Sequence, residues 1–268
     1  MKRWGLAVGL SLALAFPLAR AQDDKKPDPA KPGEPPRKDE KRDANKAPNP
    51  REAKPVGQPL AAGTVKREKL YPLDEGRSWH YELKTWLATT GAEEGAPEET
   101  EPPRLNKLDV TVGEPIKIEG EEARCLEWRL NDEPAQRAYY LEKDGSVLCA
   151  KRILGSKENA HEYVLAPPQP VLQKDLDSPW TWAGKVGTLG GKQRFELKFE
   201  DQVSAGSLGK LDCVVILTTF SGDDESSGIS AKWLSPGIGL VREETEVKAD
   251  QQIYRTVAVL TKYETGKK

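Results

Sequence analysis

Two histidines, three cysteines and 43 carboxylates are the groups in this 268-residue chain with chemistry to offer, and their spacing argues against most of it. Trp79, Tyr81 and Leu83 alternate with His80, Glu82, Lys84 and Trp86, and a strand with that pattern turns the His80 imidazole toward solvent. His161 follows Ala160 at the start of another short strand. Neither histidine has the paired ligands a few residues away that announce zinc, so no metal is expected. Phosphate loops fail residue by residue. Gly191-Lys192 has Val186 where a P-loop needs its first glycine and Gln193 where it needs Ser or Thr. Gly237-Ile238-Gly239 has Arg242 in place of the third glycine of a dinucleotide turn. No Gly-x-Ser-x-Gly elbow occurs. No catalytic residue and no cofactor is therefore assigned.

Acidic runs come closer to chemistry. Glu93, Glu94, Glu98, Glu99 and Glu101 fall in one insert, and Asp223, Asp224 and Glu225 at a hairpin tip. Paired acids can cut glycosides, and clustered acids can hold calcium. These lie among Ala, Gly, Pro and Ser without the alternating order of a calcium loop, which reads as solvated loops. Cys125, Cys149 and Cys213 are an odd number for an exported chain. A strand carrying Tyr139 and Tyr140 separates the first two. That spaces them by roughly 9.5 Å, beyond the reach of about 7 Å that a disulfide tolerates, so buried free thiols are expected. Trp79 with Tyr81, and Trp180 with Trp182, share strand faces as core aromatics do. Trp86 differs, because its strand neighbours are polar, and it is the one residue singled out for ligand contact.

The elements that must position these residues follow from composition. Met1-Lys2-Arg3, an apolar run from Trp4 to Leu18 and Ala19-Arg20-Ala21 make the three parts of a secretory signal over 1–21. The run is short for a membrane span, which needs about 20 residues. The chain is expected outside the cytoplasm, periplasmic or secreted, with no transmembrane segment after cleavage. Residues 22–65 hold no aromatic side chain and nine prolines between Pro27 and Pro59, a composition that cannot offset the entropy of ordering and predicts a disordered linker. Forty-one basic residues against 43 acidic ones leave no electrostatic footprint for nucleic acid.

From 66 to 268 the texture is that of strands. Leu108-Asp109-Val110-Thr111-Val112, Leu126-Glu127-Trp128-Arg129-Leu130 and Phe195-Glu196-Leu197-Lys198-Phe199 alternate strictly. Lys143-Asp144-Gly145, Ser221-Gly222-Asp223-Asp224 and Ser235-Pro236-Gly237 supply turns. An internal echo suggests diverged meander repeats, 66–170 and 171–268. It matches Trp79-His80-Tyr81, Cys125, Tyr140 and Asp144-Gly145 with Trp180-Thr181-Trp182, Cys213, Trp233 and Pro236-Gly237. The fold class predicted is all-β, an antiparallel sandwich or half-barrel.

Three segments also carry a resemblance. Tyr71-Pro72-Leu73-Asp74-Glu75-Gly76-Arg77-Ser78-Trp79-His80-Tyr81, Val203-Ser204-Ala205-Gly206 followed by Cys213, and Trp233-Leu234-Ser235-Pro236-Gly237-Ile238-Gly239-Leu240-Val241 resemble the turn-and-strand motifs of a group of uncharacterised exported bacterial β-proteins. The resemblance implies an exported antiparallel β fold and brings no catalytic residues. Function is therefore expected to be non-enzymatic. One reading is a module cradling a lipid-like or other apolar ligand, another an envelope-associated module that meets proteins, and a third a hydrolase whose site the sequence hides.

Overall fold

The computed structural model describes residues 50–89, 98–99, 102–155, 159–249 and 252–266. The expected signal segment, residues 22–49 of the expected linker, and Glu93, Glu94 and Glu101 of the acidic insert lie outside them. Fourteen strands are described, β1 (Gln58–Leu60), β2 (Ser78–Thr89), β3 (Glu98–Glu99), β4 (Arg104–Ile118), β5 (Glu121–Leu130), β6 (Glu133–Lys143), β7 (Ser146–Leu154), β8 (His161–Leu172), β9 (Trp180–Val186), β10 (Leu189–Ser204), β11 (Lys210–Gly222), β12 (Ser227–Ser235), β13 (Gly239–Ala249) and β14 (Gln252–Glu264). Tight hairpins join many of them. Asn131-Asp132 and Asp144-Gly145 both sit at positive φ, the two-residue turns whose twist suits antiparallel strands. The stretch from Asn131 to Tyr140, whose Asp-Glu-Pro could have begun a helix, is instead this turn and β6.

Twelve of the strands close into an antiparallel barrel. β4 pairs with β2, each strand from β5 to β14 pairs with its predecessor, and β14 closes the ring on β2, matching Leu260 with Tyr81 and Val257 with Lys84. This corrects the expectation of a sandwich or half-barrel. The closing pair joins residues about 180 positions apart, and no local pattern announces a pairing of that kind. Closure removes the exposed edges that an open sheet would present. The outward faces of β2, β4 and β10 carry His80, Glu82 and Lys84, Lys107 and Asp109, and Arg194 and Glu196. A membrane barrel carries an apolar band on that face. No helix among the described residues is long and apolar enough to cross a membrane.

The lumen is packed. Trp79, Tyr81, Leu108, Val110, Leu126, Trp128, Tyr140, Trp180, Trp182, Phe195 and Ile216 are all buried in one cluster, and Trp180 stacks on Phe195 at 5.1 Å. The echo finds its counterparts on equivalent strands, the first, third and fourth of each six. Yet Tyr140 faces the lumen and Trp233 the outside, because Lys232 and Leu234 take the lumen face of β12.

The outward Trp233 is nonetheless fully buried, and the reason corrects the linker boundary. Residues 50–65 pack on the barrel rather than trailing from it. β1 adds to β10 beyond the reach of β9, pairing Pro59 with Asp201. The buried Asp201 carboxylate accepts the Val56 and Gly57 amides and, at 3.0 Å, the Trp233 indole N–H. The buried Glu200 accepts the amides of Gly63 and Val65, and the Val65 side chain joins the main core. Two buried carboxylates thus clamp an arm that composition alone called unstructured.

Candidate ligand site in the barrel lumen

Beyond the arm the chain crosses one mouth of the barrel. Leu70 and Leu73 enter the core, and Tyr71 packs on Tyr140 with ring centroids 5.5 Å apart. Two of the resembling motifs meet here. Trp79 donates its indole N–H to the Ile238 carbonyl at 2.6 Å, Tyr81 its hydroxyl to the Leu240 carbonyl at 2.9 Å, and Arg77 an N–H to the Gly237 carbonyl at 2.8 Å. The turn they hold is the type II turn expected of Ser235-Pro236-Gly237. Ile238 N donates to Ser235 O, and Gly237 sits at φ +72.

Under this cap lies a cavity of about 60 Å³. Its apolar wall includes Trp79, Val110, Leu126, Trp128, Phe195 and Leu234, and its polar groups are Arg152, Gln169, Lys232 and Glu243 with the Tyr71, Tyr81 and Tyr140 side chains. Room for a few waters is what that volume allows. Ligand pockets usually measure about 300–1,000 Å³, so an occupant of lipid size needs the Tyr71–Pro72 cap to move.

The polar groups of the lumen are largely satisfied. Arg152 donates through Nε to Cys149 Sγ at 3.3 Å and through Nη2 to Gln169 Oε1 at 3.1 Å, and Gln169 in turn donates to Gln193. Glu243 accepts from the Ser230 hydroxyl at 2.8 Å and the Thr245 hydroxyl at 3.4 Å. The Trp180 indole N–H and the Thr218 hydroxyl find no partner among the described residues, and Lys232 is a further exception. It is 7 % exposed, lies opposite Glu243 in the β12–β13 register, and makes no hydrogen bond or salt bridge among the described residues. Burial lowers its pKa, against the pull of Glu243 and with the push of Arg152. Burial also raises the pKa of the Tyr71, Tyr81 and Tyr140 hydroxyls, so they remain neutral donors.

The residues weighed in the sequence lie elsewhere. Trp86 shares the outer face with His80, Glu82 and Lys84, as its spacing required, and does not line the cavity. Its ring is not the exposed platform expected there. It is 4 % exposed and packs on Val257, with Val259 at the edge. The cross-strand neighbours that cover it belong to β14, almost 170 residues later, and the strand's own alternation could not show them. His80 Nδ1 lies 2.6 Å from Asp109 Oδ1. Burial pushes the Asp109 carboxyl up, but His80 and Lys107 outweigh it and hold it below the usual range. His161 is exposed. All three cysteines are free and buried, and burial together with Asp201 and Asp212 pushes the Cys213 thiol up to about 12, which leaves it inert at neutral pH. Asp223, Asp224 and Glu225 form a hairpin tip in which Asp224 accepts from Ser226. Among the described residues no group of three or more His, Cys, Asp or Glu could hold a metal ion.

Sequence reasoning missed Arg152, Gln169, Lys232 and Glu243. A signal existed for one of them, since Lys232 stands in Ile229-Ser230-Ala231-Lys232-Trp233-Leu234, a run too apolar for a half-exposed strand.

No protein-family model matches the chain, and no curated protein does. Among solved structures it is similar to a chain described as a lipoprotein from Parabacteroides distasonis and to one described as an exported protein with a YmcC-like fold from Bacteroides fragilis. Each is 13% identical, with 73% of this chain and 98% of the other covered and a TM-score of 0.38. A score that low carries no argument about fold or function.

Proposed function

We propose that the chain is an exported, non-enzymatic binding barrel that takes a lipid-like or other apolar ligand into its lumen beneath the Tyr71 cap. The observation that carries this reading is the cavity, where an aromatic wall surrounds the buried residue Lys232, which makes no hydrogen bond or salt bridge among the described residues. A cation taken out of water costs several kcal/mol. A mostly apolar pocket with a few converging polar groups is the usual form of a small-molecule site. Export is supported by the segment 1–21. A buried carboxylate pair in a cleft would have favoured the hydrolase reading, and among the described residues Glu243 is the single carboxylate lining the cavity.

The reading as an envelope interaction module draws on a different surface. On the outer face of β5–β8, Cys125, Tyr139, Leu141 and Ala150 form a small apolar cluster, and Val164 nearby on β8 is 53 % exposed. The test separates the two. Native mass spectrometry of the full chain purified from its own envelope is expected to show one small-molecule adduct that organic solvent removes. A chain recovered bare, whose tryptophan fluorescence is unmoved by any apolar probe, overturns the lumen reading.

A further inference from the structure

The charges on the cavity do not balance. Arg152 and Lys232 line it with Glu243 as the lone carboxylate, which leaves one positive charge in excess. Glu243 is turned to Ser230 and Thr245. Arg152 commits one Nε proton and one Nη2 proton to Cys149 and Gln169, and a guanidinium has five. No carboxylate lies within salt-bridge distance of Arg152 or Lys232 among the described residues. Lys232 makes no hydrogen bond or salt bridge among the described residues, and the residue is 7 % exposed. Both cations sit close enough that Arg152 acts against the protonation of Lys232, an arrangement that an anion between them relieves.

We propose that the lumen holds the carboxylate head of a single-chain aliphatic acid between Lys232 and Arg152, with its tail along the aromatic wall toward the Tyr71 cap. This rests on the lumen being an apolar-ligand site. Charge selects the head. One excess positive charge matches a monoanion, whereas a dianionic phosphate brings a second charge that no cation of the cavity offsets. Volume selects it as well. A space of about 60 Å³ admits a small planar head without rearranging Gln169 or Glu243, while the tail takes the room that Tyr71 and Pro72 vacate. Charge-assisted bonds from Arg and Lys to a carboxylate are roughly twice as strong as neutral ones, so the head anchors and the tail adds area.

The test titrates the full chain with decanoate, decanol and decyltrimethylammonium below their micelle concentrations, following tryptophan fluorescence and calorimetric heat. Decanoate is expected to bind at one site and at least tenfold more tightly than the other two. Lys232→Met, which keeps the side-chain volume, is expected to weaken decanoate at least tenfold and leave decanol unchanged. Should that variant melt below the wild type, Lys232→Gln carries the same comparison. Binding of all three probes with equal affinity, or a Met variant that holds decanoate as well as wild type does, overturns the carboxylate assignment while leaving the lumen site in place. Binding of none of the three overturns the lumen site itself.

Discussion

Lys232 is where the cost of a side chain and its use come apart. Replacing a buried ionic group by an apolar one of similar volume is often neutral or stabilising by about 1–4 kcal/mol, so Lys232→Met is expected to melt higher than wild type. Its sign against pH follows from linkage. The folded-state pKa is lowered below the ordinary 10.5, so between those two values the unfolded chain binds more protons and stability rises with pH. The advantage of the Met variant is therefore full below the folded-state pKa and shrinks as pH climbs toward 10.5. Paired melts from pH 7 to 10 check this, and an advantage that grows with pH would contradict it. Trp233→Ala should lose about 3–5 kcal/mol, since it empties a fully buried site and strands Asp201 without its indole donor. Trp86→Ala should lose about 3 kcal/mol, whereas a solvent-facing Trp86 would have cost far less, and denaturant melts distinguish the outcomes. Gly237→Ala should cost about 1 kcal/mol, through its backbone alone, because no atom lies within 4 Å of an added Cβ.

Elements were legible in the sequence wherever alternation or turn chemistry is local. The core faces of β2, the Ser235–Gly237 turn and the strand nature of Phe195 to Phe199 all follow from neighbours two to four residues apart. What failed did so for one reason, that the partner lies far along the chain. Composition placed residues 50–65 in a linker because they carry little to bury, but what fixes them is their own backbone amides, held by Asp201 and Glu200. A chain beginning at Leu70 is accordingly expected to melt several degrees below one beginning at Pro50, because loss of the arm uncovers Trp233 and takes from Asp201 and Glu200 their backbone donors. Equal melting temperatures would show that the arm contributes nothing. The lumen site was illegible for the same reason, since Arg152, Gln169, Lys232 and Glu243 come from four strands and, Lys232 in its apolar run apart, each alone reads as a surface residue.

At the scale of the molecule, one core unites both proposed halves. The lumen is lined from β2 and β4–β8 on one side and from β10–β13 on the other, and the two sets of strands meet at β2–β14 and at β8–β9. The segments 66–170 and 171–268, made separately, are each expected to lack near-ultraviolet circular dichroism, since each leaves two open edges and half a core. The chain from Pro50 is expected to unfold in a single calorimetric transition. Two transitions, or a half that folds alone, would mean that the halves are independent domains.

The seam between β14 and β2 also sets a clock. A polypeptide emerges from its N-terminal end first, so β2 waits with one edge bare until β14, more than 160 residues later, has arrived. Ribbons that lengthen one hairpin at a time can stack early, but a ring has no partial credit, and its final strand is both the last made and the one that finishes it. Premature stops or trimming near Gln252 would therefore do more harm than their length suggests. They would leave Tyr81 and Leu83 beside an unpaired backbone edge, the template along which one unfinished copy adds to the next.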